Sequence, residues 1–208
     1  MTTDLHMESP SPDPGALDEE QRYRAGAYQL LGALLRAAPD QALLDHCAAL
    51  DPGDADAGHP LSDSLARLAQ AARNAEPVSV RDEYQDLFIG LGRGELVPYG
   101  SWYQTGFLME RPLGELRDDL AALGYERQAD THEPEDHVAA LCEVMGMMIL
   151  DSRPIAAQQA FFERHLRPWL GRFMGDLREA ENAVFYRAVV GFGEAFFELE
   201  SRYFSLPS

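Results

Sequence analysis

No lysine occurs anywhere in this 208-residue chain: all 17 basic residues are arginine, set against 35 Asp and Glu for a formal charge of -18. A chain so short of positive charge repels phosphate backbones and anionic headgroups, which argues against nucleic acid as a partner. Cysteine is nearly missing too. Cys47 and Cys142 each lie inside an apolar helical pattern, so neither a disulfide framework nor a Cys-rich zinc cluster is expected, only two small buried thiols. Long apolar runs are absent, none reaching the roughly 18 residues that a membrane span needs. The N-terminus MTTDLHMESPSPDPGA has neither a basic n-region nor an apolar h-region. The expected location is therefore the cytoplasm, without stable membrane insertion. Convincing period-two alternation is also lacking, which excludes an extensive sheet.

What is present is helical spacing. With 46% apolar and 25% charged residues, the chain can bury a real core. Residues 1–16, rich in Pro, Ser and acid, read as a disordered leader. The remainder, 17–208, reads as one all-α domain. Tyr23, Ala27, Leu30 and Leu34 recur at helical intervals, as do Val80, Tyr84, Leu87 and Leu91, and Leu61, Leu65 and Leu68. The clearest stripe is Phe185, Val189, Phe192, Phe196, Leu199 and Tyr203, which predicts a core helix. Further helices are expected at 40–50, 113–123, 136–150, 155–166 and 168–180. The stretch GLGRGELVPYGSWY (90–103) reads as a long connection, a kind of segment that is often functional.

Chemistry concentrates in THEPEDH, residues 131–137. A zinc helix needs His-Glu-x-x-His, because residues four apart share a face. His132 and His137 are five apart and point roughly 140° away from each other, with Pro134 between them. A metal-dependent hydrolase would need Glu133 and Asp136 as additional ligands. The simpler reading starts a helix here, with Glu133 as cap, Pro134 at the first helical position, and Glu135 and Asp136 placing negative charge in the first turn. Val138, Leu141, Cys142, Met145 and Ile149 then form its buried stripe, with Met145 and Met148 as gap fillers.

GLGRG fails the dinucleotide fingerprint, since its third Gly comes one position early and it follows a helix, and Gly90 reads as a helix stop. Ser101 lacks a nucleophile-elbow setting, and no Cys lies beside a plausible base. The aromatic cluster Tyr99, Trp102 and Tyr103 is either a satellite of the core or an aromatic-lined groove for a peptide.

EYQDLFIGLGRGELVPYGSWY (83–103), followed some thirty residues later by EPEDH (133–137), resembles the TorD/DmsD family of redox-enzyme maturation chaperones. The matching positions are Tyr84, Leu87, Phe88, Pro98, Gly100, Ser101, Tyr103, Glu133, Pro134, Asp136 and His137. The resemblance extends over roughly residues 20–204. It implies a cytoplasmic chaperone, not an enzyme and without a cofactor of its own. Such a chaperone binds the twin-arginine signal peptide, and the body, of a molybdenum-cofactor oxidoreductase subunit until assembly is complete. It leaves a monomer and a domain-swapped dimer both open. The signal-peptide site it implies comprises Pro98, Tyr99, Ser101, Trp102, Tyr103, Glu133, Asp136 and His137. A twin-arginine signal offers two guanidiniums followed by an apolar stretch, which acidic and aromatic side chains can meet. The competing readings are the hydrolase above and a helical adaptor in which the Asp-His turn is only a cap.

Overall fold

The computed structural model describes residues 17–51, 58–90, 94–126 and 133–206; the expected leader lies outside them. Among the described residues there are ten α-helices and no strand, so the all-α class holds. They are α1 (Glu19–Arg36), α2 (Gln41–Ala48), α3 (Pro60–Arg73), α4 (Pro77–Tyr84), α5 (Gly100–Thr105), α6 (Arg111–Leu123), α7 (Val138–Leu150), α8 (Ile155–His165), α9 (Arg167–Glu179) and α10 (Tyr186–Ser205).

Local chemistry explains most of the boundaries. Asp18 caps α1 by accepting the Gln21 amide at 2.8 Å, and Glu19 and Glu20 complement the helix dipole. Proline opens α3, α4, α6 and α9, where its missing N–H costs nothing. After α4 the chain widens into one π-turn, Gln85–Ile89, and stops at Gly90, whose φ of 61° favours a residue without a side chain. The helix stop expected at Gly90 is thus present. The connection expected over 90–103 is shorter than read, because α5 begins inside it at Gly100.

The helices α1 and α7 pack along one another, tied at one end by Arg36 and Glu143. α10 lies against α3 and α9 and reaches α1, where Tyr28 meets the Phe196 ring edge-on at 4.8 Å. Both cysteines are free and buried, and Met145 and Met148 are wholly enclosed.

Two expected stripes hold except at one member each: Leu30 and Leu34 of α1 and Phe185, Val189, Phe192 and Phe196 of the α10 stripe are buried, but Tyr23 and Leu199 are not. Tyr23 is 72% exposed, and the buried face of α1 takes in Arg24, Tyr28, Leu31 and Leu35 beside the expected Leu30 and Leu34. Leu199 is partly exposed while its neighbour Glu200 is completely buried. One interaction accounts for both. The Arg24 guanidinium donates to both Glu200 oxygens, at 2.6 and 2.7 Å, and Glu200 also accepts the Tyr28 hydroxyl at 2.9 Å. Paired and hydrogen-bonded charges tolerate burial that an isolated charge does not.

Candidate functional site

The two motifs on which the resemblance rests meet in space. The Gly100 amide donates to the Asp136 carbonyl and the Val138 amide to the Pro98 carbonyl, each at 2.9 Å. Tyr99 and His137 thereby form one isolated antiparallel bridge within the helical protein. The Asp136 carboxylate then accepts the Ser101 amide at 2.7 Å. Ser101 lies in the first turn of α5, where amides lack partners within the helix, and Tyr99 supplies no cap of its own. Asp136 therefore caps a helix 35 residues earlier in the chain. Gly100 is required by close approach, since a Cβ there would come within 3.1 Å of the Trp169 ring nitrogen.

This arrangement corrects the expected helix start. α7 begins at Val138, not near Pro134, because His137 is held extended by its bridge to Tyr99 and becomes the cap. Pro134 closes a turn by accepting the His137 amide at 3.2 Å. The cap of α7 is His137, whose Nδ1 accepts the Ala139 amide at 3.1 Å. With Nδ1 accepting, the neutral ring carries its proton on Nε2. Burial pushes the imidazole down to about 4, against the opposing pull of the Glu133 carboxylate. Its ring meets Tyr99 edge-on at 5.1 Å.

The remaining acids of the motif also have partners. The Tyr99 hydroxyl donates to Glu133, and burial, reinforced by that carboxylate, pushes the phenol well up. Glu135 accepts from Arg117 at 2.8 Å. Of the eight residues singled out from the sequence, Pro98, Tyr99, Ser101, Glu133, Asp136 and His137 make up this joint. Within it, Ser101 Oγ and Asp136 Oδ1 are buried and have no hydrogen-bond partner among the described residues.

Trp102 and Tyr103 point to a different neighbourhood. They line a groove of about 290 Å³ between α5 and α9, together with Leu96 and with Glu95, Asp176 and Glu179. Tyr103 stacks on Trp169 with ring centroids 5.5 Å apart. Burial and the charge of the nearby Asp176 carboxylate push the Tyr103 phenol up. Of the aromatic cluster, Tyr103 is core, and Trp102 is half-buried, packed against the core at the groove wall.

Sequence reasoning passed over Asp176 and Glu179, which it placed only within a helix at 168–180. The available signal was their spacing of three, which sets both along one side of α9 at the edge of its buried stripe. His132 lies outside the described residues. Among the described ones, no group of three His, Cys, Asp or Glu side chains is placed to hold a metal ion. Nor is any helix among them long and apolar enough to cross a membrane.

The chain resembles known proteins over most of its length. TorD chaperone protein from Vibrio atlanticus is 26% identical over 212 residues, covering 92% of this chain and 97% of that protein. TorD from Vibrio parahaemolyticus is 27% identical over 155 residues, covering 69% of this chain and 71% of that protein. A solved structure from Archaeoglobus fulgidus, described as a candidate redox enzyme maturation protein, shares the fold with a TM-score of 0.59 at 18% identity. The match covers 92% of this chain and 99% of that one. The family model described as nitrate reductase delta subunit matches residues 54–175, a span that holds both motifs and the joint between them. The chain therefore belongs to the nitrate reductase delta subunit family, the family of the TorD redox-enzyme maturation chaperones.

Proposed function

We propose that this maturation chaperone acts in the cytoplasm by binding the twin-arginine signal peptide of a molybdenum-cofactor oxidoreductase subunit, and part of its body, before export. It performs no chemistry on the client. The observation that carries the reading is the Asp136–Ser101 joint, which holds α5 against α7 and sets Trp102 and Tyr103 at the wall of a groove bordered by carboxylates. Aromatic walls suit the apolar stretch of such a peptide, and the carboxylates suit its guanidiniums. In this reading Trp102 and Tyr103 touch the peptide. Pro98, Tyr99, Ser101, Glu133, Asp136 and His137 shape the surface that presents them. The chain's charge of -18 draws a basic peptide in from a distance.

Calorimetric titration with a twin-arginine peptide tests this. Saturable binding is expected, weakening but not vanishing as salt screens charge over a Debye length of about 8 Å near physiological ionic strength. The residual affinity at high salt reflects burial of the apolar stretch. Absence of binding at every salt concentration sinks the reading.

A further inference from the structure

The turn between α5 and α6 stands out from the surface. Every residue from Gln104 to Arg111 is exposed, and three large apolar side chains follow one another within it: Phe107 at 68%, Leu108 at 45% and Met109 at 73%. Elsewhere among the described residues no two consecutive large apolar residues are exposed. The turn has a fixed shape. The Gly106 amide donates to the Trp102 carbonyl at 2.8 Å, and Thr105 Oγ1 donates to the Ser101 carbonyl at 2.8 Å while accepting the Phe107 amide at 3.2 Å. Met109 is held at a φ of 60°, a left-handed backbone that a residue with a side chain seldom adopts and that recurs at ligand clamps. A strained turn that lifts apolar side chains into water adds nothing to the core. We propose that Phe107, Leu108 and Met109 form a docking tip for an apolar, not yet folded segment of the client's body.

Size and charge select this occupant. Three large side chains, each worth roughly 200 Å² when free, leave about 400 Å² of apolar surface at those exposures. A stable interface between folded partners takes about 800 Å² from each side, so the tip by itself suits a short extended segment and not a second copy. A second copy would also bring its own charge of -18 against the same charge here. An anionic lipid surface is repelled in the same way, and Arg111, beside the tip, is already paired with Glu115 at 3.3 Å. A polypeptide still folding offers what remains: uncharged apolar residues not yet buried in their own core. The tip lies outside the groove between α5 and α9, so one client can engage both. The proposal rests on the client-body part of the reading above and not on signal-peptide binding.

The test compares the full chain with its Phe107→Ser/Met109→Gly double variant, in which glycine keeps the left-handed backbone at 109. The probe is a neutral, fluorophore-labelled peptide of Leu, Ala and Ser, followed by fluorescence anisotropy. The unaltered chain should bind it saturably, with an affinity that holds or rises as sodium sulfate is added, because burial and not charge drives the contact. The double variant should lose about tenfold or more, the scale of one large apolar side chain returned to water, and bind a twin-arginine peptide as before. Phe107→Ser alone, which leaves the backbone of the turn as it is, should show the same loss in smaller measure. Thermal melts that match the parent show that these exposed changes leave the fold intact. No binding of the neutral peptide by the unaltered chain, or equal binding by parent and variants, overturns the docking tip. Cosedimentation with phosphatidylcholine vesicles that the double variant abolishes assigns the tip to a membrane, and self-association that it abolishes assigns the tip to a second copy; either overturns the client reading. Failure of the twin-arginine peptide alone, with the neutral peptide bound, sinks signal-peptide recognition and leaves the tip standing.

Discussion

Asp136 and Ser101, 35 residues apart in sequence, are joined at 2.7 Å by a carboxylate that caps another segment's helix. The contact makes a surface-looking acidic turn part of the framework. Asp136→Ala removes the acceptor and leaves the buried Ser101 amide unpaired, which should cost about 1 to 3 kcal/mol in urea unfolding. Asp136→Asn keeps an acceptor oxygen and should cost about 1 kcal/mol or less. Equal stability of both variants with the parent would mean that the joint does not support the fold.

The Arg24–Glu200 pair gives a second test. Arg24 is 3% exposed and Glu200 not at all, and Gln158 adds a further bond to the guanidinium at 3.0 Å. Arg24→Met alone strands a buried carboxylate and should destabilise by about 3 to 5 kcal/mol. The double variant Arg24→Met/Glu200→Met should recover a large part of that loss. Additive losses in the two single variants and the double would show that the pair is not coupled.

Truncating the α10 stripe separates its buried from its exposed members. Phe192→Ala and Phe196→Ala, at sites 2% and 1% exposed, should each cost about 3 to 5 kcal/mol. Leu199→Ala, at a site 36% exposed, should stay below about 1 kcal/mol. A loss at Leu199 as large as those at the phenylalanines would contradict the observed face.

His137 predicts a pH dependence. Burial lowers the folded imidazole from its ordinary 6.5 to about 4, so the neutral ring is favoured in the fold. Stability is complete above about pH 6.5. It falls as pH drops toward 4, because only the unfolded chain takes up the proton in that window. Between pH 7 and pH 5 the loss from this group should be about 2 kcal/mol. The measurement is urea unfolding at both values for the parent and for His137→Gln. An equally steep fall in the variant would assign the dependence to other groups.

The helices expected at 113–123, 155–166 and 168–180 match α6, α8 and α9 closely, because an amphipathic stripe is written in residues three and four apart. The exposed Tyr23 and Leu199, beside the buried Arg24 and Glu200, show where that logic stops. A pattern read by hydrophobicity turns Arg24 and Glu200 outward, and only their mutual neutralisation, 176 residues apart, lets them turn inward together. The start of α7 was misplaced for a similar reason. Pro134 and its acidic neighbours are a good helix opening taken alone, yet the bonds of Asp136 and Val138 to Gly100 and Pro98 hold His137 extended and delay the helix to Val138.

By itself the sequence determined the all-α class, the core helices, the stop at Gly90 and, through two spaced motifs, the family. Each is encoded in neighbours within a turn or two, or in residue identities that need no partner to be recognised. Only the tertiary structure decided that the two motifs bind each other, that Asp136 and His137 are buried caps, and that Asp176 and Glu179 face Trp102 across a groove. Those relationships depend on how helices distant in the chain pack, and the strength of a carboxylate's hydrogen bond carries no record in sequence of which distant amide will receive it.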